Sequence, residues 1–266
     1  MTDSNTHPIL RLALLGVVFL VLLSALEGRF SKEIPGTQFD RDSLDKVAGW
    51  LSPELRAEQA DSRHSKAQFD ETLVSNWQRS VIAIGQHEPL VGETSWHRYR
   101  TGFAVSGGAE RLGGQRIVSA NVSAASWVGD KIRLHSHPFH MPQTWYAHGG
   151  SAIREGRLSV FLARGATIAA PVALADLATA EYENRFPVVL IGFDDDQPTR
   201  FYTHSVGVGD HAAEIKLAQR PPGVFGEFFG APVFNTRGQV VGVYAPTDNK
   251  PTYITSKVIR NSLYRR

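Results

Sequence analysis

The chain has 266 residues, of which 42% are hydrophobic and 20% charged, with a formal net charge of +2. That is enough apolar material for one substantial core or two small ones, which excludes a globally disordered chain. The 28 Lys and Arg are dispersed rather than blocked together, which argues against a nucleic-acid binder, and the absence of cysteine excludes disulfides, thiolate metal sites and a cysteine nucleophile.

The chain opens with a short polar head that runs into Arg11, after which Leu12 to Leu26 carries no charge. As a helix this run rises about 22 Å, short of the roughly 30 Å hydrocarbon core. Adding Pro8, Ile9 and Leu10 and letting Arg11 snorkel brings the length close to a span. We therefore expect a cytoplasmic head over 1–8 and a membrane anchor over 9–26. The weakly basic head and the lack of an Ala-x-Ala site favour an uncleaved anchor, and a cleaved signal peptide ending near Leu23-Ser24-Ala25 is the alternative. Arg11 and the free amine put the head inside and export the rest, giving a single-pass protein of the bacterial inner membrane with a periplasmic C-terminal domain.

Residues 27–41 are polar, contain Pro35-Gly36, and read as a linker. A helical arm follows over 42–78. Asp42-Ser43 is a capping signal, and Ser52-Pro53-Glu54 starts a helix with proline at its first position. Phe69, Leu73 and Trp77 stand at helical spacing, so the arm is expected to dock through that stripe on its own domain.

From Val81 the texture changes to short β-type runs separated by Gly, Pro and Asp. They are Val81–Ile84, Thr101–Val105, Arg116–Ser119, Lys131–His135, Leu158–Leu162, Val188–Phe193, Ser205–Val208 and the two runs flanking Gly238. Short strands without intervening helices predict a barrel or sandwich. Thr255 to Leu263 reads as a terminal helix.

Four fragments carry further information. Thr101-Gly102-Phe103-Ala104-Val105 precedes Ile117-Val118-Ser119-Ala120-Asn121-Val122, and Arg157 opens Leu158-Ser159-Val160-Phe161-Leu162. Later, Gly226-Glu227-Phe228-Phe229-Gly230-Ala231-Pro232-Val233-Phe234-Asn235 leads into Gly238-Gln239-Val240-Val241-Gly242-Val243. In this order the fragments resemble the chymotrypsin-fold domain of trypsin-like serine proteases, in particular the HtrA-like branch, over 79–266. The resemblance implies a mainly β fold of two six-stranded antiparallel β-barrels, here with an N-terminal membrane helix, a helical arm and a C-terminal helix.

It also implies that the catalytic machinery is missing. Phe229 stands at the nucleophile position, and a phenyl ring has neither an attacking lone pair nor a proton to give up. The base position falls on Val122 in an ungapped reading, or on Asn121 with one deletion, and neither serves as a base near neutral pH. Arg157 replaces the acid that would orient a base, and Glu227 replaces the glycine of the oxyanion hole. The expectation is a pseudoprotease without catalytic residue or cofactor. It would bind a protein or peptide partner, with Phe228 and Phe229 either presented as an apolar anchor or plugging the core.

The alternative is an active hydrolase, either a serine protease with displaced residues or a zinc enzyme. His135 and His137 would share one face of a strand, and His140 could swing in from the turn at Pro138, with His148 nearby. No acidic residue lies between Arg133 and Ser151 to act as base or orient a ligand, so a solvated or aromatic-packed loop is favoured over metal. Asp194-Asp195-Asp196 is read as a loop tip, because consecutive acids lack the spacing of a calcium loop.

Overall fold

The computed structural model describes residues 53–90, 93–106, 114–120, 122, 131–136, 145–148, 153–155, 157–164, 169–194, 197–209, 213–221, 228–247 and 250–264. The chain divides into two compact units, 1–56 and 57–266. The expected head, anchor and linker, and the arm before Pro53, lie outside the described residues. Among the described residues no helix is long and apolar enough to cross a membrane.

Helix α1 spans Pro53–Lys66, with proline at its first position as expected. The arm is then two helices, which corrects the single apolar stripe. Asp70 accepts from the backbone N–H of Thr72 at 2.8 Å and restarts the chain as α2, Glu71–Trp77, followed by a 3-10 turn over Gln78–Ser80. The restart moves Phe69 outside α2 and rotates the buried face. Leu73 is 46% exposed, while Val74 is fully buried. The arm docks on its own domain. Phe69 meets Tyr202 edge-on at 5.6 Å, and Trp77 stacks on Phe234 at 5.4 Å. Gly238, at φ +74°, makes room for this, since a Cβ there would lie 2.6 Å from the indole.

Seven strands follow: β1 (Val81–Leu90), β2 (Glu93–Val105), β3 (Gly114–Ala120), β4 (Lys131–Ser136), β5 (Trp145–His148), β6 (Ile153–Glu155) and β7 (Leu158–Arg164). They form one antiparallel sheet in the order β3-β2-β1-β4-β5-β7-β6, and β3 also pairs with β7 over its whole length. One edge of β7 is thus taken by β3. The other is shared, with β5 at Ala163 and the three-residue β6 at Leu158–Val160. Helix α3 (Thr179–Glu183) then leads to β8 (Phe186–Asp194), β9 (Gln197–Val208), β10 (Glu214–Leu217), β11 (Pro232–Phe234), β12 (Val240–Tyr244) and β13 (Thr252–Thr255). These six close into a barrel in the order β10-β13-β12-β11-β8-β9. Helix α4 (Ser256–Tyr264) follows directly and buries Ile259 and Leu263. The second half is thus one closed six-stranded barrel, and in the first half the β3–β7 pairing brings the antiparallel sheet back on itself as a ring of β3-β2-β1-β4-β5-β7 with β6 added at the edge of β7, in keeping with the expected two-barrel architecture.

The alternation of strand side chains divides the core into three apolar clusters. Ile82, Ile84, Ala104, Ile117, Val122, Leu134 and Phe161 belong to the first sheet alone. Val188, Leu190, Ile215, Phe228, Val233, Val241 and Tyr253 fill the barrel. The third cluster joins the two layers, with Val81, Phe103, Val118, Ala120 and Leu158 from the sheet against Val189, Ile191, Phe234, Val243 and Ala245 from the barrel. Edges of the sheet–barrel seam are where the singled-out motifs meet.

Candidate functional site

The turn Phe228-Phe229-Gly230 reaches from the barrel to the sheet. Its backbone is bound on both sides. The carbonyl of Phe229 accepts from the Thr101 N–H of β2 at 2.9 Å, and the Gly230 N–H donates to the carbonyl of Tyr244 at 2.8 Å. Gly230 has φ +85°, and a Cβ there would overlap the Thr101 carbonyl and the Ser119 Oγ. Only glycine fits this conformation at this approach. Ser119 is fully buried and donates to the Thr101 carbonyl at 2.6 Å, so its hydroxyl is committed to holding β2 to β3.

Arg157 arrives from the sheet side. Leu158 pairs with Ala120, the last residue of β3, so Arg157 stands beside the point where β3 ends. Its guanidinium donates to the carbonyl of Ala245 and pairs with Glu214 of β10. Glu214 also accepts from the Thr247 hydroxyl at 3.1 Å. Ala245 follows Tyr244, and the Phe229 ring meets Tyr244 edge-on at 6.0 Å. The end of β3, Arg157 and the Phe229 turn therefore come together at the seam.

Val122, the ungapped base position, follows two residues after the end of β3. Its side chain is 5% exposed among the aliphatic residues of the first sheet, so it belongs to the core and forms no wall of the site. Asn121, the gapped alternative, lies outside the described residues, as does Glu227.

The two phenylalanines separate. Phe228 is 3% exposed and lies on Gly192, where a Cβ would come within 2.6 Å of its ring. It fills the barrel and is not available to a partner, which corrects its reading as a presented anchor. Phe229 remains half-buried, with the Arg100 guanidinium over its ring at 4.7 Å from the centroid. The two rings belong to one apolar cluster, with Phe228 enclosed inside it and Phe229 packed against its margin, where the ring stays partly exposed.

Among the described residues this arrangement offers aromatic, cationic and carboxylate contacts. Burial pushes the Tyr244 phenol up to about 12, against a hydrogen bond from Arg220 that favours ionisation. The phenol therefore stays neutral over the physiological range. Glu214 is engaged by Arg157 and Thr247, and neither it nor Ser119 has a described imidazole as partner. The pairing of Arg157 with Glu214, 57 residues apart, carries no local sequence signal, and nor does Arg100 over Phe229.

The other candidate sites fall mostly outside the described residues. Only the backbone of His135, paired with Ala83, and that of His148, at the end of β5, are described, while His137 and His140 are not. Among the described residues no group of three His, Asp or Glu side chains could hold a metal. Asp194 ends β8 opposite Gln197, so the acidic run caps a β8–β9 hairpin whose two tip residues are not described.

No family model matches the chain, and no curated protein matches it. Solved structures do, with 360 matching chains. One is the crystal structure of Deg5, which is 15% identical with a TM-score of 0.51, the alignment covering 72% of this chain and 90% of that one. With the closed barrel and the second antiparallel sheet, this similarity supports a trypsin-like fold. At such identity it speaks to the fold alone.

Proposed function

We propose that this chain is a proteolytically inactive trypsin-like domain, anchored by its N-terminal apolar segment to the bacterial inner membrane and exposed to the periplasm, where it binds a protein or peptide partner as a scaffold module. The observation that carries the reading is Phe229. Its ring stands half-buried on the turn between barrel and sheet, against Tyr244 and beneath Arg100, where the family resemblance expects a serine. The second support is Arg157, whose pairing with Glu214 and Ala245 makes the expected acid position a clasp between the two layers. At a seam of this kind the partly exposed Phe229 ring offers an apolar contact to a peptide segment of the partner.

The test is direct. Purified full-length chain is treated with a fluorophosphonate probe and assayed for hydrolysis of an unfolded protein with and without chelator. No covalent labelling and no hydrolysis are expected. Labelling, or hydrolysis that chelator abolishes together with stoichiometric zinc, would overturn the proposal in favour of a hydrolase.

A further inference from the structure

The arm reaches the barrel through a second contact that the proposed binding function does not use. Two serines of α1 bond to the edge of β9: the Ser62 hydroxyl to the carbonyl of Tyr202 at 3.1 Å, and the Ser65 hydroxyl to that of Thr203 at 2.6 Å. Between them and the barrel lies His204, 4% exposed. Its Nδ1 is buried without a hydrogen-bond partner and faces Asp61 Oδ2 at 3.5 Å, and the Thr203 hydroxyl beside it is also buried and unpartnered. The His64 ring lies nearly parallel to that of His204, with centroids 6.2 Å apart. Asp61 is already engaged by Arg185, from the segment entering β8.

We propose that this contact is a proton-sensitive latch: protonation of His204 undocks α1 from β9 while α2 stays in place. The argument is a charge balance in a confined space. With His204 neutral, Asp61 and Arg185 cancel, and the imidazole lies between α1 and the barrel without charge. A proton on His204 adds a cation where almost no water reaches it. Among the described residues the one carboxylate that acts on it, Asp61, is shared with Arg185, and a charge on His64 opposes it further. Asp61 and His64 from α1 and Arg185 from the barrel side are the groups that act on His204. Burial outweighs the attraction of Asp61 and holds the His204 imidazole below its ordinary value.

The sign follows from that direction. The undocked arm takes up the proton near the ordinary imidazole value of about 6.5, and the docked arm refuses it until lower pH. Docking is therefore undiminished above about 6.5 and weakens as pH falls from there toward the docked value. The neighbouring contact responds differently. Burial opposes ionisation of Glu71, but the Tyr202 hydroxyl with Lys66 and Arg200 outweighs it and holds the carboxyl below its usual range. That contact is lost only under stronger acid, so α2 remains held by Glu71 and by Trp77 on Phe234 while α1 is released.

The test is hydrogen exchange of the full-length chain between pH 7.5 and 5.0, corrected for the intrinsic pH dependence of exchange. For one proton taken up on undocking, protection of 57–66 should fall by up to about tenfold per pH unit, while that of 71–77 and of β12 holds. In His204→Gln the α1 profile should become flat. Unchanged α1 protection, simultaneous loss across α1, α2 and β12, or a wild-type profile in His204→Gln would each overturn the latch. Should His204→Gln fail to fold, His64→Gln, on the exposed side of α1, decides: release displaced to lower pH supports the proposal, and undisplaced release overturns it.

Discussion

Replacing Arg157 by alanine tests whether the seam is held by the clasp described above. The side chain makes two contacts across the layers, to the Ala245 carbonyl and to Glu214, and the partners of the ion pair are 24% and 14% exposed. A hydrogen bond to a charged group contributes about 1.5–3 kcal/mol, and breaking a fully buried pair costs about 3–5 kcal/mol. Residual exposure here, and the Thr247 hydroxyl that Glu214 keeps, reduce the loss. We expect Arg157→Ala to destabilise by about 2 kcal/mol, which for a domain of this size lowers the melting temperature by about 4–8 °C. A double-mutant cycle with Glu214→Ala should return a coupling of about 1–2 kcal/mol. Arg157→Asp, which restores an acid at this position, should be worse than alanine because it faces Glu214. Calorimetry on the single and double variants decides. A coupling below about 0.5 kcal/mol, or Arg157→Asp more stable than Arg157→Ala, would refute the clasp.

Gly230→Ala forces a side chain into the left-handed region and onto Thr101 and Ser119, and it should cost about 3 kcal/mol in denaturant titration, with a loss under about 1 kcal/mol counting against the described turn. Phe229→Ser puts a hydroxyl on the turn without supplying a base, so fluorophosphonate labelling should stay at background; labelling at residue 229 would show that a base is in reach. Trp77→Ala removes the stack on Phe234 and leaves space over Gly238, and for a half-buried indole the cost is about 2 kcal/mol, read as faster hydrogen exchange in α2 and checked against unchanged exchange in β3.

In the barrel β8 was legible because its run is long and apolar on both faces, while the three-residue β11 was legible only through the Gly230-Ala231-Pro232 motif that leads into it. Val188–Phe193 and the runs flanking Gly238 became β8, β11 and β12. The three- and four-residue strands β6, β10 and β13 were not legible, since so few positions give no readable alternation and their pairing partners are remote. The first half of β2 was hidden for a related reason. Glu93 to Arg100 is mostly polar and takes its strand geometry from pairing with β1.

At the site the division runs residue by residue. Sequence alone determined that residue 229 is an aromatic ring without a nucleophilic atom, that glycine stands at 230, and that Arg157 opens an apolar strand. Those are matters of chemical identity and local backbone preference, which a linear chain carries with it. Only the tertiary structure decided that Phe228 is enclosed while Phe229 stays partly exposed at the margin of the same cluster, that Val122 belongs to the core, and that Arg157 finds Glu214. It also decided that His204 is enclosed under α1 with Asp61. Burial and charge pairing depend on which distant segments close over a side chain, so spacing along the chain does not encode them.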